Sequence, residues 1–243
     1  ILDRGYEPLS CSHGFLHRKS IKSNAEAHVR KPWVLNLDLE KFFPNITLPR
    51  IKNLLDRRRI SLVVASEVDE GKAEEEKILL TPAIASLLAN LCCFRTAEKA
   101  SDPETLHGLP QGAPSSPILS DMVARRMDLE IMRFCKREGL VYTRYADDLS
   151  FSPKDPKDYS GYKGLLSREA RDGVGRGTAL KLCHELLEII ASNGFRIQGR
   201  KTRLFRGSTF KSVTGLSVNE FANVPRKTVR SIRAHLHDCV RVQ

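Results

Sequence analysis

The sequence predicts an α+β fold built on a ferredoxin-like β-α-β-β-α-β order, and three observations carry that reading. An apolar, mildly alternating run from Trp33 to Leu39 has the character of a buried strand. A long amphipathic helical pattern closing at Gly139 is followed at once by two strand-like runs, Leu140 to Tyr145 and Leu149 to Ser152, across a tight turn. A second helical pattern closing at Gly194 leads into short strands at Phe195 to Gln198, Arg203 to Arg206 and Lys211 to Val218.

Taken in order, residues 1 to 30 are polar and basic, interrupted by Gly5, Pro8 and Gly14, with a cluster at His17-Arg18-Lys19. After the first strand, Pro44-Asn45-Ile46 turns the chain into a helix whose apolar positions are Ile51, Leu54 and Leu55. Residues 66 to 78 are acidic with little to bury, which predicts a surface loop or a frayed helical excursion. Thr81-Pro82 supplies an N-cap and a proline at the first helical position, ahead of a stripe of Ile84, Leu87, Leu88 and Leu91. A polar link from Thr96 to His107 reaches the turn-rich loop Leu109 to Pro117, where Ser116-Pro117 repeats the cap device. Leu119, Met122, Val123, Met127, Ile131, Phe134 and Cys135 then form one apolar face, on which the methionines read as core filler. Pro153 to Gly177, rich in Asp, Lys, Gly and Arg, reads as an exposed, mobile connection. The next helix turns Leu180, Cys183, Leu186, Leu187 and Ile190 inward, and Gly207-Ser208 marks a hairpin turn. Pro225 opens a final amphipathic helix with Val229, Ile232, Leu236 and Val240 on one side and Arg226, Lys227, Arg230 and Arg233 available to phosphates. There is no internal repeat or low-complexity tract.

The chain carries a formal charge of +11 from 40 basic and 29 acidic residues, so a polyanion is the expected partner. No apolar run is long enough to span a bilayer, which favours nucleic acid over a membrane. The six cysteines form no C-x-x-C pair and read as reduced core thiols of a cytoplasmic protein. His235-x-His237-x-Cys239 is not read as a zinc site, because a helix points residues two apart in different directions. The chain starts at Ile1 with no signal-peptide pattern, so it is expected to begin inside a longer protein.

The chemistry centres on Tyr145-Ala146-Asp147-Asp148 at the hairpin tip. Adjacent carboxylates on a tight turn repel each other unless a cation sits between them, although an Asp-Asp turn by itself is also an ordinary solvated turn. Asp38, delivered at the C-terminal end of the first strand, is a third carboxylate, and together the three suit an oxygen-seeking divalent metal.

The order of Asp38-Leu39-Glu40-Lys41-Phe42-Phe43, Leu109 to Pro117 and Tyr145 to Asp148 resembles the reverse transcriptases. Asn24-Ala25-Glu26-Ala27-His28 is similar to the Asn-Ala-x-x-His signature, and Val213-Thr214-Gly215 to the Val-Thr-Gly signature, of bacterial retron reverse transcriptases. The resemblance implies a polymerase right-hand fold: the end of the fingers over 1–32, the first catalytic strand of the palm over 33–45, a helical insertion over 46–108, the palm with catalytic hairpin and primer grip over 109–222, and the start of a thumb over 223–243. The upstream fingers strands are then expected outside the chain, which alone should fold but polymerise poorly. The implied activity is RNA-directed DNA synthesis by two-metal phosphoryl transfer with two Mg2+ ions, primed at a guanosine 2′-hydroxyl of a structured non-coding RNA. The implied partners are that RNA, the DNA product, deoxynucleotide triphosphates and an effector protein, with no membrane, and the implied role is defence against phage. Alternatives are another bacterial reverse transcriptase lineage, intron-encoded or phage-defence, or a non-catalytic RNA-binding scaffold with the same fold.

Residue by residue, the resemblance makes Asp38 and Asp147 bridging metal ligands, with the Leu39 carbonyl as an extra oxygen and Asp148 as the more dispensable carboxylate. Phe43 becomes a gate against the ribose 2′-hydroxyl, whereas Phe42 fits a core position. Gln111 and Gly112 would lie against the nascent base pair. Lys201 would steady the leaving pyrophosphate, although Gln198 stands where the family pattern has Asn. The hairpin from Arg203 to Val218 becomes the primer grip. Asn24, His28, Val213, Thr214 and Gly215 fall to RNA recognition, with His28 equally suited to a hydrogen-bonded structural place. Arg18 and Lys19 read as phosphate binders or as a solvated basic loop, and Arg226, Lys227 and Arg230 as phosphate contacts.

Overall fold

The computed structural model describes residues 6–56, 61–66, 74–95, 107–166 and 180–241. In chain order the elements are α1 (Ile21–Glu26), β1 (Trp33–Asp38), α2 (Leu48–Asp56), β2 (Ser61–Ser66), β3 (Glu74–Leu79), α3 (Pro82–Cys92), β4 (Phe94–Arg95), β5 (His107–Gly108), α4 (Ser116–Arg137), β6 (Leu140–Tyr145) and β7 (Asp148–Pro153). They are followed by α5 (His184–Ser192), β8 (Arg203–Arg206), β9 (Ser212–Val213), β10 (Leu216–Ser217) and α6 (Arg226–Arg241).

The central sheet has the order β6-β7-β1-β8 with every neighbour antiparallel, which is the predicted ferredoxin-like arrangement. β1 is central, and its side chains are buried except for the half-buried Asn36, which explains why it reads as a near-continuous apolar run. The core gathers Leu35, Leu37 and Phe151 from the sheet with Met127, Ile131 and Phe134 of α4 and Leu186 and Ile190 of α5.

Four local expectations are corrected. The acidic stretch is not a loop: β2 and β3 pair antiparallel from Ser61 opposite Leu79 to Ser66 opposite Glu74, and residues 67–73 lie outside the described residues. A two-stranded ladder satisfies backbone hydrogen bonds without needing a buried face, and burial was the criterion behind the expectation. In α3, Thr81 caps Ile84 N at 3.3 Å as predicted, yet the buried positions are Ala85 and Ala89, while Ile84, Leu87 and Leu91 are exposed. Ser115, not Ser116, occupies the N-cap position of α4; the Ser116 hydroxyl instead donates to the Pro110 carbonyl at 2.6 Å and closes the preceding loop. α5 begins only at His184, with Leu180 and Cys183 ahead of it and Leu187 turned outward, one position off the face shared by Leu186 and Ile190. Of the connection read over Pro153 to Gly177, residues 167–177 lie outside the described residues.

The strands after α5 also differ from expectation. Phe195 to Gln198 makes a single bridge, Ile197 opposite Leu39, in place of a strand. Lys211 to Val218 folds back on itself as the β9–β10 hairpin, with Val213 opposite Leu216. Thr214 at φ 46° and Gly215 at φ 81° form its turn, the two positive angles that a type I′ hairpin requires.

The catalytic-hairpin candidate is anchored from below by Arg144, which is 1% exposed. Its Nε lies 2.9 and 3.0 Å from the two Asp128 carboxylate oxygens, and its Nη2 donates to Asp128 Oδ2 at 2.7 Å and Asp121 Oδ1 at 2.6 Å. Its Nη1 donates to the Ala146 carbonyl at 3.2 Å, inside the turn that links β6 to β7. Tyr142 donates to Asp128 at 2.8 Å, Tyr6 to Asp121 at 2.7 Å, and the Ser12 hydroxyl also bonds Asp121. Burial opposes the guanidinium charge, but Asp128 beside it more than compensates and holds its pKa well above the usual arginine value. The segment before α1 is held to the same strand, with Arg144 N donating to Cys11 O at 2.7 Å and His13 N to Arg144 O at 2.8 Å. Gly14 follows, and a Cβ there would fall 2.5 Å from Ala146 N, so only glycine permits this approach.

Removing Arg144 alone would strand two buried carboxylates. Arg144→Met is expected to lower the urea-unfolding free energy by about 3–5 kcal/mol, and a loss below about 1 kcal/mol would show that the network contributes no more than a surface ion pair.

Candidate active site

Register brings the carboxylates together. The last residue of β1, Asp38, is the cross-strand partner of Asp148, the first residue of β7. Ala146 and Asp147 form the two-residue link from β6, and Ala146 takes a positive φ of 54°. Leu39 N donates to Asp147 O at 2.9 Å, and Gln198 N donates to Asp38 O at 2.8 Å, so the end of β1 is fixed on both sides. Lys201, in a short 3₁₀ turn after Gln198, places its ammonium 3.0 Å from Asp38 Oδ2.

Burial, then the neighbouring Asp147 and Asp38 charges, push the Asp148 carboxyl up to about 6. Asp147 is also raised, by burial first and by Asp38, against the opposing pull of a backbone hydrogen bond and Lys201. These groups fit a hard divalent cation: acidic oxygens that destabilise one another when ionised, beside a Leu39 carbonyl that accepts none of the described hydrogen bonds. The three carboxylates do not close on one point, since among the described residues no group of three or more His, Cys, Asp or Glu forms a ready-made cage.

A cleft of about 400 Å³ runs along this face, lined by Asp38 and Asn36 of β1, Asp148 and Ser150 of β7, Lys201, and the Thr214–Gly215 turn. Arg203, Phe205 and Ser212 complete it. Asn36 ties the walls together, donating to Ser212 O at 2.7 Å and accepting from the Ser150 hydroxyl at 3.2 Å. Asn36 and Ser150 were not among the sequence candidates, whereas Arg203 and Phe205 belong to the segment expected to form the primer grip. A signal for the first two existed, because alternation along a strand puts positions 36 and 150 on the same face as the carboxylates at 38 and 148.

Other candidates lie elsewhere. Phe42 is buried and stacks on Phe195, with centroids 5.5 Å apart, while Phe43 beside it is half-buried; neither lines the cleft. Gln111 and Gly112 sit in an exposed turn, where Gly112 takes a φ of +95° and a Cβ would meet nothing of the protein within 4 Å. Arg18 is exposed, and Lys19 donates to Ser10 O at 3.3 Å. Arg226, Lys227 and Arg230 are exposed on α6.

Asn24, His28 and Val213 are corrected as RNA contacts, because all three are fully buried. His28 bonds the Ser152 hydroxyl at 2.7 Å through Nδ1 and the Thr143 hydroxyl at 2.8 Å through Nε2, joining both strands of the hairpin that carries Asp147 and Asp148. Burial lowers its pKa to about 3, so the ring is neutral. Asn24 Nδ2 reaches the Thr214 hydroxyl at 3.4 Å. The segment is therefore a brace between the carboxylate hairpin and the Thr214–Gly215 turn.

An antiparallel ferredoxin-like sheet with acidic residues at the end of its central strand and on the adjoining hairpin is the palm of a right-hand polymerase fold. The chain belongs to the reverse transcriptase family: the family described as reverse transcriptase (RNA-dependent DNA polymerase) matches residues 9–222. It is similar to the Retron Mx162 reverse transcriptase of Myxococcus xanthus, with 34% identity covering 93% of this chain and 43% of that protein. It is likewise similar to the Retron Ec86 reverse transcriptase of Escherichia coli, with 30% identity over 93% of this chain and 55% of that one. The chain thus spans about half the length of the curated relatives it matches. Among solved structures, a telomerase from Candida albicans in complex with a fragment of telomeric RNA shares the fold, with a TM-score of 0.52 and 17% identity over 86% of this chain and 34% of that one.

The raised Asp148 carboxyl sets a pH dependence. Protonated, it favours the folded state; that contribution is complete below the ordinary aspartate value of about 3.9 and is lost as pH rises through about 6. Above pH 6 a divalent cation can offset the loss. Millimolar magnesium is expected to raise the thermal midpoint at pH 7.5 by ~2–4 °C, equivalent to about 1 kcal/mol after solvent screening, and by much less at pH 5. Asp148→Asn should raise the metal-free midpoint and shrink the magnesium effect, and an equal effect at both pH values would refute the assignment.

Proposed function

We propose that this chain is the catalytic palm of a retron-type RNA-directed DNA polymerase, which adds deoxynucleotides to a primer by two-metal phosphoryl transfer on a structured non-coding RNA. The observation that carries the reading is the pairing of Asp38 with Asp148 across neighbouring strands, next to Asp147, in a cleft whose far wall is the Val-Thr-Gly turn. Two bound magnesium ions would lower the barrier by stabilising the attacking and leaving oxygens.

In this reading Asp38 and Asp147 would hold the metal ions, the Leu39 carbonyl would add an oxygen, and Asp148 would take a supporting place. Lys201 shifts between Asp38 and the departing pyrophosphate, to which its ammonium donates a proton or a hydrogen bond. Phe43 offers an apolar ring with no partner for a ribose 2′-hydroxyl, favouring deoxynucleotides. Gln111 and Gly112 meet the nascent pair, and Thr214 and Gly215, at the mouth of the cleft, steady the primer end, a guanosine 2′-hydroxyl at initiation. Arg18, Lys19, Arg226, Lys227 and Arg230 contact phosphates. The cysteines of the described residues are all free, as befits a cytoplasmic enzyme. An effector protein and a role in phage defence complete the retron reading.

Primer extension on an RNA template with magnesium tests this. In a polypeptide of the relatives' length, Asp147→Asn is expected to cut extension at least a thousandfold, with the thermal midpoint and RNA affinity kept. Undiminished synthesis would refute the metal assignment, and an inert wild type that still binds RNA tightly would favour a scaffold.

A further inference from the structure

A second pocket adjoins the β9–β10 hairpin at Ser217, apart from the Thr214–Gly215 turn that lines the active-site cleft. It has a volume of about 670 Å³ and is formed between Phe210, the segment from Ser217 to Val224, and the first turn of α6. Phe210 is 55% and Phe221 59% exposed, an unusual pair of bare rings on one concave surface. Their backbone is firmly held: Ser217 N donates to Asn223 O at 2.7 Å, Asn223 N returns to Ser217 O at 3.1 Å, and Lys211 N donates to Asn219 Oδ1 at 2.8 Å.

The charge beside the rings is one-sided. Arg226 and Lys227 occupy the first turn of α6, where no acidic residue is present. Cations there oppose the helix dipole, an arrangement that an anion at the same place relieves. Neither they nor Arg230 and Arg233 on the following turns form an ion pair among the described residues, and Glu220 is the sole carboxylate lining the pocket.

An apolar peptide would cover the rings but leave the cations unsatisfied, whereas an unpaired nucleotide offers a flat base to the rings and a phosphate to the cations. We propose that this pocket binds an unpaired nucleotide of an RNA strand, with Phe210 and Phe221 as stacking faces and Arg226 and Lys227 on its flanking phosphates. RNA is the expected strand because unpaired RNA bases are splayed out and stacked on aromatic side chains, and the polymerase reading, on which this inference rests, supplies an RNA template. The hairpin then links two sites, its Thr214–Gly215 turn at the reacting end and its Ser217 end at the held nucleotide.

The test uses an RNA oligomer of about 12 nucleotides carrying one 5-iodouridine, photo-crosslinked to the chain and mapped by mass spectrometry. The adduct is expected on the peptide containing Phe210 or Phe221. By fluorescence anisotropy, Phe210→Ala/Phe221→Ala should weaken binding about tenfold with an unchanged salt slope, and both rings are exposed, so the variant keeps its fold. Arg226→Gln/Lys227→Gln should reduce the slope of log affinity against log salt by about 1.4. Adducts confined to other residues, or wild-type affinity in the double Phe variant, would overturn the pocket while leaving the polymerase reading intact. A wild-type chain with no measurable RNA binding would overturn both.

Discussion

The buried ion network around Arg144 is the constraint on which the rest of the site depends. Two carboxylates from α4, Asp121 and Asp128, are nearly as inaccessible as the guanidinium between them, and desolvating three charges is costly unless each finds its partners. The structure meets that demand with hydroxyls from Tyr142 of β6 and from Tyr6 and Ser12 of the N-terminal segment. The network cannot form until α4, β6 and the N-terminal segment are docked. Its last donor goes to the Ala146 carbonyl, so the same arginine that closes the core also sets the turn carrying Asp147.

A second layer of polar contacts acts from the other side of the sheet. His28 links Thr143 and Ser152 across β6 and β7, and Asn24 links to Thr214. The Asn-Ala-x-x-His and Val-Thr-Gly segments, nearly 190 residues apart by the separation of Asn24 and Thr214, are thus neighbours around one hairpin. Their physical role in the fold is to fix the spacing between the carboxylates and the turn at the cleft mouth. Thr214 and Gly215, unlike the buried Asn24, His28 and Val213, keep atoms open to the cleft.

Much of this was legible in the sequence, and the reasons differ by element. The palm order, the hairpin carrying the aspartates and the helix stops at Gly139 and Gly194 follow from strong local signals, namely strand runs separated by a short turn and glycines that take positive φ. The β2–β3 pairing was not legible, because an acidic segment was read by its lack of apolar residues, whereas a ladder is made by backbone groups that every sequence carries. The α3 face was misjudged because the close helix contact uses Ala85 and Ala89 rather than the larger side chains. In the site, adjacency in sequence revealed Asp147 and Asp148, whereas Asn36 and Ser150 depend on register across the sheet. Asp121 and Asp128, seven apart on the apolar face of α4, carried a readable signal: two acids on a buried face imply a buried cation.

Through the Ala146 carbonyl, the buried network positions the turn on which the acidic oxygens of Asp147 and Asp148 face Asp38, the set that suits a divalent cation. Manganese binding, measured by electron paramagnetic resonance on the wild type and on Arg144→Lys, tests this most directly. Lysine keeps the charge but cannot span Asp128, Asp121 and the Ala146 carbonyl at once. The folded variant is expected to bind manganese about tenfold more weakly, equivalent to about 1.4 kcal/mol. Equal affinity in a folded Arg144→Lys protein would contradict this, showing that the turn holds its carboxylates without the arginine.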